Sequence, residues 1–246
     1  PPRSTLFPYT TLFRSYQGHP LVLVLVAKHI EEVFFGDVAA FLRQDQWIFA
    51  DLEMLLRWHF GRLSAAEQEI LFWLAVHRHP VSLTQLQACI RDRQTRSTLA
   101  STLQTLQRRI PLVRQDRSFT LQPVLLEYVT ERLIGAASKA ILQGDLKRLD
   151  QICLMQGSAP DGRRLIQRRV ILQGVGDRCL THQPKAALID HLFRHLAQLQ
   201  QNPLQGYAAG NLLNLLVSLD GDLRRGDFSG LTLREEIGRA SCRERV

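Results

Sequence analysis

The chain has 246 residues, 45% of them hydrophobic, with 31 Lys and Arg against 23 Asp and Glu for a formal net charge of +8. That length holds one or two domains with real apolar cores, and so basic a balance suggests an anionic partner, nucleic acid first. The four cysteines show no CxxC or other metal-ligand spacing, which argues against a disulfide scaffold or a zinc module and for free thiols in a reducing compartment.

Much of the charge sits at the two ends. Pro1–Ser15 (PPRSTLFPYTTLFRS) reads codon by codon as a common sequencing-library adapter, and Ile237–Val246 (IGRASCRERV) as the reverse complement of its inner part. Setting aside Arg3, Arg14, Arg239, Arg243, Arg245 and Glu244 lowers the net charge to +4, 26 basic against 22 acidic residues. Cys242 leaves with them, so Cys89, Cys153 and Cys179 remain. The protein proper is expected over Tyr16–Glu236, cut at both ends. Its apolar run Leu21–Ala27 is far short of the roughly 20 residues that span a bilayer, so a soluble, cytoplasmic protein is expected.

The expected fold is mainly α, beginning with a helical lid over 16–63. Pro20 suits a first-turn position and opens a helix over Leu21–Val33 that is apolar on most faces and so expected to be well buried. Val38–Arg43 and Ile48–Phe60 follow, the latter with Leu52, Leu55, Leu56 and His59 on one side. A winged helix is expected over 64–142. Capping boxes Ser64-Ala65-Ala66-Glu67 and Ser82-Leu83-Thr84-Gln85 start its first two helices, Pro80 separates them, and Val81 can staple onto Leu86. The third helix, Arg96–Arg109, buries Leu99, Leu103, Leu106 and Ile110. Leu112–Arg114 and Ser118–Leu121 form the hairpin wing, and Pro123–Leu142 the last helix. A helical spacer occupies 143–220, with helices near Asp145–Met155, Arg163–Leu180, Pro184–Gln200 and Tyr207–Leu219. Over 221–236 the rhythm turns to pentads with Leu223, Phe228 and Leu233 at their centres, as at the start of a pentapeptide-like solenoid.

Several segments resemble the NB-ARC/STAND class of P-loop NTPases, in its bacterial, cyanobacterial-type repeat proteins. They are Tyr16-Gln17-Gly18-His19-Pro20-Leu21-Val22-Leu23, Gly36-Asp37-Val38-Ala39-Ala40-Phe41-Leu42, Phe60-Gly61-Arg62-Leu63-Ser64, Phe119–Leu133 and Gly210-Asn211-Leu212-Leu213-Asn214-Leu215-Leu216. The resemblance implies that Pro20 packs on the adenine of ADP or ATP while Gly18 gives the backbone its turn. It also implies that a winged helix and spacer lead into pentapeptide or WD-type repeats. The class places a Met-His-Asp triplet after the wing, where this chain has Leu121, Gln122 and Pro123. Gln122 can offer a phosphate one neutral hydrogen bond but no positive charge. Walker A and B elements, which hold the phosphates and Mg²⁺, are absent from Tyr16–Glu236 and are expected in an upstream core, so no hydrolysis is expected of this segment alone. The implied partners are that core, the C-terminal repeats and further copies on activation.

Two other readings stay open. A DNA-binding regulator would use Arg96 and Gln104 of the third helix and Arg114 and Arg117 of the wing, although Ser97, Ala100 and Ser101 present a small neutral face. A protein-interaction scaffold without nucleotide would suit the altered Gln122. The basic stretch Arg163, Arg164, Arg168, Arg169 and Arg178 reads as a solvated face. His182, His191 and His195 read as surface histidines without a third metal ligand, and no catalytic arrangement or metal site emerges from spacing.

Overall fold

Short-range capping sets most of the element boundaries. The computed structural model describes residues 20–43 and 52–235. Gly18, the adapter-like stretches 1–15 and 237–246, Glu236 and the expected helix start at Ile48 lie outside the described residues. In the stretch expected as a lid, the described helices are α1 (Pro20–Phe34), α2 (Val38–Arg43) and α3 (Leu52–Gly61). Pro20 is the first helical residue, where its missing N–H costs nothing. The expectation of an α1 buried on most faces is corrected. Leu21, Val22, Leu25, Val26, His29 and Ile30 are buried, but Val24, Ala27 and Val33 are exposed.

The winged helix follows as α4 (Ala65–His77), β1 (Val81–Ser82), α5 (Leu83–Cys89), α6 (Arg93–Arg109), β2 (Leu112–Gln115), β3 (Ser118–Leu121) and α7 (Pro123–Gln143). Both capping boxes close in both directions, Ser64 with Glu67 and Ser82 with Gln85. Arg78 ends α4 in the left-handed region at φ 55°. Its guanidinium crosses to α7, donating to Thr130 Oγ1 (3.2 Å) and Glu127 Oε1 (3.0 Å). The sheet is three-stranded and antiparallel in the order β1-β3-β2, with Val81 opposite Phe119 and Gln115 opposite Ser118. The strand β1 escapes sequence reading because two residues carry no alternation, and Val81 also serves as the staple onto Leu86; both are fully buried. Helix α6 starts three residues before the expected Arg96, because the Asp92 carboxylate accepts the Thr95 N–H at 2.6 Å. Leu99, Leu103, Leu106 and Ile110 are buried as expected.

The spacer comprises α8 (Leu146–Gln151), α9 (Asp161–Gln167), a π turn (Arg168–Leu172), α10 (Gln173–Leu180), α11 (Lys185–Gln201) and α12 (Ala208–Ser218). The helix expected to reach Met155 stops at Gln151, and 152–155 runs buried and non-helical. Asn211 of α12 holds that segment. Its amide donates to Leu149 O and Ile152 O, and its Oδ1 accepts the Leu154 N–H (3.0 Å). Gly210 beside it is required by space, since a Cβ there would lie 2.0 Å from Arg234 O.

Residues 221–235 contain one 3-10 turn (Leu223–Arg225) and no strand. The pentad centres Leu223, Phe228 and Leu233 nevertheless pack inward on the core, Phe228 stacking on Phe193 of α11 at 6.4 Å. The surface reading of the histidines is corrected for one of them. His195 is 3% exposed, and its Nε2–H donates to Ile141 O at the end of α7 (2.9 Å). Cys153 and Cys179 are buried free thiols and Cys89 a half-buried one.

Candidate functional site

The exposed stripe of α1 contains the sequence-selected Pro20. Val24 and Ala27 follow it at i+4 and i+7, so three apolar residues share one outward face. Two hydrogen bonds tie α1 to neighbouring helices. His59 Nε2–H of α3 donates to Leu25 O (3.1 Å), and Lys28 Nζ reaches Gln107 O of α6 (3.0 Å). Burial brings the His59 imidazole down to about 4, so the ring is neutral at physiological pH. Arg62 lies over the Trp58 ring at 4.5 Å, and the Trp58 edge meets His29 at 4.3 Å. An aromatic layer thus lies on the side of α1 away from Pro20.

Gln122 is the residue preceding α7, with Pro123 at the first helical position. It is the N-cap of that helix, its carbonyl accepting the Leu126 N–H at 2.8 Å, while its side chain makes no capping hydrogen bond. The half-buried amide sits at the positive end of a 21-residue helix. A helix start favours an anion, and the neutral amide adds a single donor there.

The residues singled out for DNA divide into two groups. Gln104, Arg114 and Arg117 line one cleft of about 510 Å³ between α6, the start of α5 and the wing, together with Asp116 at the wing tip. Asp116 turns the two-residue hairpin at φ 53°, in the left-handed region that Asp tolerates. Arg96 does not line this cleft. Both its Nε and Nη2 donate to Ile90 O, at 3.0 and 2.6 Å, closing the end of α5. The hydroxyls of the third helix are also committed. Ser97, Thr98, Ser101, Thr102 and Thr105 each donate to a carbonyl of their own helix. Those hydroxyls bond within their own helix, and Ser97, Ala100 and Ser101 lie exposed as a small neutral face.

Buried polar bonds lock the winged helix to the spacer, and no sequence spacing announces them. Gln167 Nε2 donates to Val76 O (2.7 Å), while Gln167 Oε1 accepts the Gln156 N–H (2.9 Å). Tyr207 Oη donates to Cys89 O (2.9 Å). Cys89 Sγ lies 3.5 Å from His77 Nε2. Burial lifts that thiol to about 11 and lowers the imidazole to about 4, so both are neutral and the pair is no activated nucleophile. Among the described residues, no group of three or more metal-binding side chains is found, and no helix is long and apolar enough to cross a membrane. In the basic stretch, Arg168 and Arg169 are exposed. Arg164 pairs with Asp161, Arg178 with Glu131, and Arg163 contacts His79.

No protein-family model matches the chain, and no solved structure matches it. The chain is similar to an uncharacterized WD repeat-containing protein of Nostoc sp., at 33% identity over 264 aligned positions. The match takes in 92% of this chain but 21% of that protein, so the chain spans about a fifth of the length of the curated relative it matches.

Proposed function

We propose that this chain is the regulatory segment of a larger repeat-containing signalling protein, one that switches on a bound adenine nucleotide. The carrying observation is that Pro20, Val24 and Ala27 lie exposed on one face of α1, while the helix is tied to α3 and α6 through Leu25 O and Lys28. An apolar stripe of this width suits the flat face of an adenine or the wall of a neighbouring nucleotide-binding core. In this reading 16–63 is the lid of an NB-ARC/STAND-class module, 64–142 its winged helix, 143–220 the spacer and 221–236 the approach to the repeats. Gly18 and Pro20 would hold the adenine. Gln122 would offer the phosphate a hydrogen bond weaker than a cationic group could make. Walker elements and Mg²⁺ would belong to an upstream core, so the segment itself would not hydrolyse ATP. The likeness to a WD repeat-containing protein supports a repeat-protein setting, with a protein-interaction role for the whole.

The physical logic is differential affinity. Nucleotide moves the winged helix only if it binds the closed and open arrangements unequally. In this reading the bonds of Gln167 and Tyr207 would make the winged helix and spacer move together, so that motion at the lid would be passed on to the repeats. The test is equilibrium ADP binding to the complete protein, core included, with and without Pro20→Ala. Removing two ring methylenes from an adenine contact costs about 1.5 kcal/mol, or about tenfold in affinity. ADP binding that ignores the substitution removes Pro20 from the site.

A DNA-binding reading keeps one favourable observation, the shared cleft of Gln104, Arg114 and Arg117. It requires salt-sensitive duplex binding that falls on Arg114→Ala with Arg117→Ala. The engagement of Arg96 with Ile90 O and the self-bonded hydroxyls of α6 weigh against it. An interaction scaffold without nucleotide is the outcome if the complete protein binds no ADP.

A further inference from the structure

A second cleft, of about 310 Å³, opens where α4, the start of α6 and α8 meet. That volume is at the small end of the range for small-molecule pockets, about 300–1,000 Å³. The half-buried Phe72 and the almost fully buried Trp73 provide aromatic wall, and Glu69 and Asp92 provide its acidic groups. Among the described residues neither acid takes part in an ion pair, and Arg148 is the cleft's one basic lining group.

The acids differ in what holds them. Asp92 is committed to the α6 N-terminus through the Thr95 N–H. Glu69 has no cation to offset its desolvation. Burial first, and the Asp92 charge second, raise its carboxyl to about 7, with the Trp73 indole opposing. An aromatic wall and a carboxylate pair lacking its cation are complementary to one ligand chemistry: an ammonium group on an apolar body. We propose that this cleft binds a small protonated amine, its nitrogen between Glu69 and Asp92 and its apolar part against Trp73. Such a ligand would bridge the winged helix and the spacer, because α4 and α6 belong to one and α8 to the other. The site stands independently of nucleotide binding at the lid.

The test uses the full chain labelled with 5-fluorotryptophan, with Trp73→Phe assigning the fluorine signal. Phenethylamine should shift the Trp73 signal saturably at up to millimolar concentration. Glu69→Gln, which keeps the shape, and Asp92→Asn, which keeps the helix cap, should each weaken binding by about tenfold or more. Circular dichroism of each variant establishes that it is folded. Phenylalanine separates two sources of the same ammonium chemistry. Tighter binding than phenethylamine, lost on Arg148→Ala, identifies an amino acid, and weaker binding identifies a simple amine. The proposal is overturned if phenethylamine gives no saturable shift, if both acid variants bind it as well as the parent, or if phenylacetate gives the same shift.

Discussion

Asn211 gives the sharpest stability prediction, because one side chain satisfies three buried backbone groups. It is 3% exposed and holds Leu149 O, Ile152 O and the Leu154 N–H. Asn211→Ala strands the Leu154 donor, at about 1–3 kcal/mol, and costs less at the two carbonyls, whose second lone pairs are more adaptable. The net loss is about 3 kcal/mol, a large part of a typical stability of about 5–15 kcal/mol. With a urea m-value of about 2 kcal/mol/M, the unfolding midpoint falls by about 1.5 M at unchanged m. Asn211→Asp preserves the shape but turns a carboxylate toward two carbonyls, so it should cost at least as much. A loss below about 1 kcal/mol for the alanine variant, or an undisturbed aspartate variant, refutes the assignment of the 152–155 conformation to this residue.

Other outcomes follow from the same geometry. Gly210→Ala places a Cβ 2.0 Å from Arg234 O, so it should displace residues 231–235 and speed amide exchange there while the winged helix stays protected. His59 and His77 are held at about 4 in the folded chain, against 6.5 for the free ring. The unfolded chain then takes up protons first, and stability is full above pH 6.5 and declines as pH falls toward 4, by at most about 3 kcal/mol per ring. Urea midpoints at pH 7 and pH 5 measure this, and His77→Gln should reduce the difference. Glu69 has the opposite sign. Its folded value of about 7 exceeds the 4.5 of a free glutamate carboxyl, so stability drops as pH rises through that window. Glu69→Gln should flatten that drop and raise the midpoint at pH 8.

Local signals carried well into three dimensions. The two capping boxes and the hairpin act over a few residues of chain, and each appears as expected. Elements fixed by distant partners were not legible. The strand β1 exists because Val81 finds Phe119, 38 residues away. The early end of α8 depends on Asn211, and His195 is buried because Ile141 O lies within its reach. Candidate residues behave likewise. Pro20 was legible as a helix start, but the open stripe it shares with Val24 and Ala27 was not, because Leu21–Val33 is apolar around most of the helix. Arg96 looked available from its helix position, and only the fold shows it turned back on Ile90 O. The pairing of Glu69 with Asp92 across 23 residues leaves no spacing pattern.

The central claim is that nucleotide controls the arrangement of the lid and winged helix. Amide hydrogen exchange on the complete protein, with and without saturating ADP, tests it most directly. The account predicts slower exchange at the start of α1 around Pro20 and at the α7 start following Gln122, with the spacer changing in concert. Unchanged exchange at both helix starts under saturating ADP would contradict it.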